Sequence, residues 1–212
     1  FLREGVIMTV VRRDGSVQRH RAHPDGTLGD VPVVVLINAG TASGAEIVAG
    51  AMRLRRRAVL VGTRSRGKGC IQSMYRLDDE LGQVNLTTSE FYVGRARPIM
   101  RRGGSDAWGV DPHEQVVLRP SERRELQRLR RAAEVLPRAT TRPATAPDVE
   151  RRRKLERLLA LDPQLARGVE LLGEPEAMAE LIERGAREDR LIERLLGPEA
   201  PSQSPGEDED ER

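Results

Sequence analysis

Val33-Val34-Val35-Leu36-Ile37 is an unbroken and mostly β-branched run. Such a run fits a strand covered on both faces, as in the middle of a parallel sheet. Asn38-Ala39-Gly40-Thr41-Ala42 turns the chain. From Ser43 the pattern becomes helical, with Ile47, Val48, Ala51 and Met52 predicted on one face. Arg53, Arg55, Arg56 and Arg57 follow at the C-terminal end, where the helix dipole favours cations. Ala58-Val59-Leu60-Val61 is a second buried strand. A strand-helix-strand unit of this kind requires parallel pairing through a right-handed crossover, so the core is expected to be α/β.

The rest of the chain organises around this unit. Residues 6 to 12 read as a strand, Asp14-Gly15 as a hairpin turn and Val17 to His20 as the returning strand, before a loop over 21 to 30. After the loop Gly62 to Gly67, the segments 68 to 75 and 83 to 93 read as extended, with a turn at Asp78 to Gly82. They are expected to add antiparallel strands and make the sheet mixed. Arg101 to Ser105 is a connection, and Val116-Val117-Leu118 reads as the last strand before Pro120. These readings give a core over 1–119, a charged helix over 120–136 and a Pro/Thr/Ala linker over 137–148. A helical extension over 149–197 follows, its second helix opened by Asp162-Pro163 and its third by Glu174-Pro175. The acidic stretch 198–212 has the composition of a disordered tail.

Composition narrows the chemistry. A chain of 212 residues can bury a real core. It holds no apolar run near the roughly 20 residues that cross a bilayer. With Cys70 as the single cysteine there is no internal disulfide framework and no multi-cysteine zinc site. Three histidines and few aromatics point to no metal and no cofactor. All but two of the 36 basic residues are arginine, and the exceptions are Lys68 and Lys154. The net charge is only +3, with signs mixed along the helices. The arginines therefore read as mostly solvated surface, and no basic face with stacking aromatics marks a nucleic-acid partner.

Against that background Lys68 raises a chemical question, because a lysine can surrender its proton where an arginine cannot. Ser43 stands where a central strand gives way to a helix, at the sheet's carboxyl edge, with the helix N-terminus favouring a developing anion. Ser43-Gly44-Ala45-Glu46 also fits a helix capping box, in which the serine only satisfies amides. Lys68, between Gly67 and Gly69 just past the second parallel strand, is expected on the same edge. The flanking glycines leave room for another backbone. A desolvated Lys68 could take the serine proton directly, the serine-lysine form of nucleophilic catalysis. Gln72, four residues on along an extended segment, would point to the same side and could orient the amine.

Taken together, Val33 to Ala51, Ala58-Val59-Leu60-Val61-Gly62, Gly67-Lys68-Gly69-Cys70-Ile71-Gln72 and Leu86-Thr87-Thr88 resemble, in order and spacing, the carboxyl-terminal processing peptidases, or tail-specific proteases. The resemblance covers roughly residues 1 to 118, and Asp162-Pro163-Gln164-Leu165 resembles the tails of some members. It implies a crotonase-like core, Ser43 as nucleophile, Lys68 as general base, Gln72 as the group that holds the lysine, and the Gly44 amide as an oxyanion-hole donor. It further implies polypeptide substrates with exposed apolar C-termini, ATP-independent cleavage, and work in the periplasm, the cell envelope or outside the cell. A homo-oligomer or an adaptor contact through the helical tail is a further expectation. Two departures stand out: Gly44-Ala45 where members commonly carry alanine and serine, and a core ending kept only in part at Gly109 to Glu114. The family also places a PDZ domain, and a glycine-rich segment with a second oxyanion donor, upstream of the part that starts at Phe1. The chain opens on Phe1, so a processed or truncated product is expected. A site built from this chain alone would lack the second donor, at a cost of about a hundred-fold to a thousand-fold in rate.

Other readings compete. Gly62-Thr63-Arg64-Ser65-Arg66-Gly67-Lys68-Gly69 nearly spells a phosphate-binding loop, but Gly69 replaces the magnesium-holding hydroxyl and a strand, not a helix, is predicted after it. Cys70 paired with His20, His23 or His113 would make a cysteine nucleophile, yet no local motif supports it and an inert strand cysteine is the default. His113 reads as a solvent-side residue and Trp108 as packing on the core. Asn85-Leu86-Thr87 matches a glycosylation sequon inside a strand. The main alternative function is an inactive or truncated peptidase-like scaffold whose helical tail engages another protein.

Overall fold

The computed structural model describes residues 1–77, 82–134 and 148–196. The linker and the acidic tail expected from the sequence lie, almost entirely, outside them. The first hairpin forms as expected: β1 (Val6–Arg12) and β2 (Val17–Arg21) pair antiparallel. The strand-helix-strand unit is β3 (Val34–Ile37), α1 (Gly44–Leu54) and β4 (Val59–Gly62), with β3 and β4 parallel as expected. The chain then makes β5 (Cys70–Arg76), β6 (Gln83–Val93), β7 (Arg97–Pro98) and β8 (Glu114–Gln115). Among the described residues it closes with α2 (Pro120–Glu134), α3 (Asp148–Leu161), α4 (Pro163–Leu172) and α5 (Pro175–Leu196).

The architecture is α/β, but the antiparallel strands do not extend the parallel sheet. They form their own, in the order β2-β1-β6-β5 with β7 on β6, while β3-β4-β8 is a separate three-stranded sheet. The reason lies in β4, which is buried along its whole length and uses both faces. Leu60 joins a core with Val10, Met52, Phe91 and Val93 under the antiparallel sheet and α1. Val59 and Val61 face the other way, into a second core with Leu171, Met178 and Leu181 of α4 and α5. The period-2 alternation of one strand thus serves two layers, and the continuous apolar run is explained by cover on each side. Burial of a leucine such as Leu171, with none of its surface exposed, is worth roughly 2 kcal/mol.

Three local expectations are corrected. Val48 is 57% exposed, because the inward face of α1 is built from Glu46, Ala49, Gly50, Ala51, Met52 and Arg53. Gly50 belongs there since a Cβ on it would lie 2.8 Å from Val93. The last strand is Glu114–Gln115, and beyond it Val116 gives its carbonyl to the Gln164 side chain at 2.7 Å, which leaves Val117 turned outward. The arginines are not all solvated: Arg53 and Arg97 are buried against α5. The cap at Asp162-Pro163 forms as read, with Asp162 accepting from the amides of Gln164 and Leu165 at 3.1 Å each.

Candidate active site

At the end of β3 the chain turns through a short self-bonded loop. The Asn38 amide donates to the Thr41 hydroxyl at 3.1 Å, the Gly40 amide to Asn38 Oδ1 at 2.7 Å, and the Thr41 amide to the Asn38 carbonyl at 2.8 Å. Ser43 then precedes α1 with φ 56° and ψ −124°. A positive φ with this ψ is a strained place for a side-chain-bearing residue, at a cost of about 1–3 kcal/mol, and such strain clusters at functional turns. The Ser43 and Glu46 pair has the arrangement of a capping box. Its firm half is the Ser43 amide donating to Glu46 Oε2 at 2.9 Å.

Glu46 is the residue that sequence reasoning undervalued. Its side chain is fully buried, and it accepts from four donors on two segments. Oε1 takes the Ser65 hydroxyl at 2.5 Å and the Gly67 amide at 2.7 Å, while Oε2 takes the amides of Ser43 and Lys68 at 2.9 Å each. The backbones of Ser43 and Lys68 are therefore no further apart than two hydrogen bonds laid end to end. A second tie runs from the Arg66 amide to the Thr41 carbonyl at 2.9 Å. The S-x-x-E spacing was the available signal, but it pointed only to helix capping.

The glycines around Lys68 have the predicted role. A Cβ on Gly69 would lie 2.5 Å from the Met100 amide nitrogen, and one on Gly67 would meet Trp108 at 2.8 Å. Gly67, at φ +81°, also needs the left-handed conformation. The segment after β7 runs alongside, with the Arg101 amide donating to the Gly67 carbonyl at 3.0 Å. Lys68 itself is exposed and Ser43 half-buried. Gln72 lies in β5 opposite Thr87, just past a bulge, and is exposed. The structure thus brings Ser43, Gly44 and Lys68 onto one edge through their backbones. Among the described residues no hydrogen bond joins the side chains of Ser43, Lys68 and Gln72.

The competing readings fare differently. The loop Gly62 to Gly69 leads into β5, not into a helix, and its Gly67 and Lys68 amides, which would cradle a phosphate, are taken by Glu46. His20 and His23 are exposed on the far hairpin and its loop. His113 is buried, against expectation. Only Val61 and Gly62 of β4 pair with β8, so the Leu60 amide lacks a strand partner; His113 Nδ1 accepts it at 2.9 Å, and the His113 amide donates to the Leu60 carbonyl at 2.8 Å. Burial, with Arg53 nearby, lowers its pKa to about 4, and acceptance at Nδ1 requires the neutral ring. Trp108 packs on the Lys68 loop with two guanidinium groups over its ring, Arg64 at 4.9 Å and Arg101 at 4.6 Å from the centroid.

The sequence profile of peptidase family S41 matches residues 1–116. The chain is 41% identical over 104 residues to the carboxy-terminal-processing protease of Bartonella bacilliformis, a match covering 49% of this chain and 24% of that protein. It is 38% identical over 103 residues to the carboxyl-terminal-processing protease of Synechocystis, again 49% of this chain and 24% of that one. With carboxyl-terminal-processing peptidase 1, chloroplastic, of Arabidopsis thaliana it shares 42% identity over 85 residues, 40% of this chain and 17% of the relative. Among solved structures, a photosystem II D1 C-terminal processing protease matches with a TM-score of 0.48 and 28% identity, over 55% of this chain and 28% of that one. The chain spans about a quarter of the length of the first two curated relatives. No described helix is long and apolar enough to cross a membrane. Because the matched stretch is more than half of the sequence and contains the Ser43 turn, Glu46 and the Lys68 loop, the chain belongs to peptidase family S41.

Proposed function

We propose that this chain carries the nucleophile and the general base of a serine endopeptidase that cuts proteins recognised at exposed C-termini, without ATP. One observation supports the reading most: a strained serine at a strand-to-helix turn shares a buried carboxylate with the backbone of a lysine from another segment. In the proposed reaction the neutral Lys68 amine takes the Ser43 proton as Oγ bonds to the scissile carbonyl carbon. The electron pair moves to the carbonyl oxygen, which the Gly44 amide at the start of α1 stabilises. Lys68 then returns the proton to the leaving amine, the C–N bond breaks, and water activated by the same amine hydrolyses the acyl-enzyme. Gln72 would hold the amine. A substrate lying across this edge as an added strand would exclude water from Lys68.

Substrates with apolar C-termini, and a site of action in the periplasm, cell envelope or exterior, go with the resemblance. A PDZ domain and a second oxyanion donor belong to the same proposal. Of the tail's apolar side chains, Leu171, Met178 and Leu181 are spent on the core. Leu155, Leu172 and Leu191 stay exposed and are what a tail-borne oligomer or adaptor contact would use.

The test is ATP-free degradation of an unfolded protein with an apolar C-terminus by the full-length gene product, as wild type, Ser43→Ala and Lys68→Arg. Arginine keeps the charge and cannot act as base. Cleavage abolished by both substitutions supports the reading. Activity that survives both ends it, and a Ser43→Ala protein that keeps its biological role would favour the scaffold.

A further inference from the structure

We propose that Asp189 of α5 is a positioning residue for the Lys68 loop, so that the docked helical tail is part of the apparatus that shapes the site. Asp189 is buried between two guanidinium groups from the core. Arg53 Nε donates to its two oxygens at 3.1 and 3.0 Å, and Arg97 Nη1 donates to Oδ1. Neither arginine rests there alone. Arg53 Nη1 donates to the Asp111 carbonyl at 3.1 Å, and Arg97 Nη2 lies 3.7 Å from Asp111 Oδ2.

Asp111 is where the network meets the site. Its Oδ1 accepts from Arg64 Nε at 2.5 Å, and Arg64 covers one face of Trp108, whose ring fills the space beside Gly67. The residue before it, Val110, donates its amide to Ser65 Oγ at 2.8 Å, and Ser65 donates to Glu46. Two routes thus lead from one tail carboxylate to the groups that fix the Lys68 backbone. Removing the Asp189 charge leaves Arg53 with the half-exposed Glu188 at 3.0 Å and the buried Arg97 with Asp111 as its remaining carboxylate. Arg97 already has its next partner within reach, and turning fully to Asp111 sets it in competition with Arg64. Arg64 then keeps only its 3.2 Å bond to the Asp106 carbonyl, and its hold over Trp108 loosens.

This deepens the reading under Proposed function, and only its kinetic arm rests on that reading. Trp108 is the single tryptophan, so its fluorescence reports on the stack directly. The variants are Asp189→Asn and Arg64→Gln, the second leaving the buried triad intact. In each, the Trp108 emission should shift to the red with more acrylamide quenching, and the Gly67 and Lys68 amides should exchange faster with solvent. In the full-length gene product, kcat for Ser43-dependent cleavage should fall about ten-fold to a hundred-fold with KM unchanged, and Asp189→Glu should recover part of it. A folded Asp189→Asn or Arg64→Gln protein with wild-type Trp108 emission and wild-type exchange at Gly67 and Lys68 overturns the proposal. If Asp189→Asn does not fold, Asp189→Glu, which displaces the charge within the triad, decides: a partial red shift supports the proposal, and wild-type emission with wild-type exchange overturns it. If no Ser43-dependent cleavage exists, the function fails while fluorescence and exchange still judge the network.

Discussion

Two buried carboxylates hold this molecule together, and they do it by different means. Among the described residues Glu46, at the Ser43 turn, meets no cation; its partners are three backbone amides and one hydroxyl, all within 22 residues of it. Asp189, at the seam between tail and core, meets two guanidinium groups that are 136 and 92 residues away. Backbone amides are fixed in direction, so the first arrangement specifies the relative position of two chain segments. A buried ion cluster has large opposing terms, so its net contribution is small, although loss of one member is costly. The turn is built for geometry and the seam for a choice of partner.

The largest expected effect tests the geometric side. Glu46→Ala leaves four donors without their acceptor, and with each worth about 1–3 kcal/mol and partly rehydrated, the loss of stability should be about 4–5 kcal/mol. Glu46→Gln keeps the shape but presents an amino group to two of the donors. It should unfold at lower urea by about 2–4 kcal/mol, and any Ser43-dependent cleavage should fall about a hundred-fold through misplacement of Lys68. Equal urea midpoints for wild type and Glu46→Gln would show that the turn does not depend on the carboxylate.

The next effect tests the charged side. His113 sits under the seam, where a Cβ on Gly185 of α5 would come within 2.3 Å of its ring, and Arg184 of the same helix donates to its carbonyl at 2.7 Å. Burial and then the nearby Arg53 depress its pKa from 6.5 to about 4; Asp189 acts the other way, and Arg184 and Arg97 add to the depression. The unfolded chain therefore takes up the proton first as the solution is acidified. The neutral ring's contribution is fully present above pH 6.5 and is lost as pH falls toward 4, a total of about 3 kcal/mol at most. Thermal melts of wild type and His113→Gln across this window should converge at the acid end. A His113→Gln protein with the same acid slope as wild type would remove the seam from the account of acid stability.

How much of this was legible follows from the same contrast. The two parallel strands, the helix between them and the glycines around Lys68 were readable, because each rests on local spacing or on a backbone conformation that few residues adopt. Glu46 was half readable: its i+3 relation to Ser43 gave the cap, but its bonds to Ser65, Gly67 and Lys68 depend on where the next loop returns. Nothing local marks Asp189, Arg53 or Arg97 as buried in a chain so rich in arginine, since burial there is set by the docking of α5. His113 was misplaced for a related reason, as its role is to satisfy one amide of β4 that the short β8 leaves over. The separation into two sheets was equally hidden, because alternation within a strand does not say which neighbour it pairs with.

The smallest effect is the sharpest test of the contrast, because it changes exposure and little else. Arg56, two residues past the end of α1, and Glu183 of α5 span the same seam as Arg53 and Asp189, at the same 3.0 Å. Their side chains are 46% and 54% exposed, against 1% and 7% for the buried pair. Water and salt screen the outer pair, and ordering two long side chains offsets the remaining attraction. Glu183→Gln should therefore cost less than about 0.5 kcal/mol, with the difference vanishing at high salt. Urea titrations at low and high ionic strength give both numbers. If Glu183→Gln proves as damaging as Asp189→Asn, the tail is held by its summed charge, and burial at Asp189 loses its special standing.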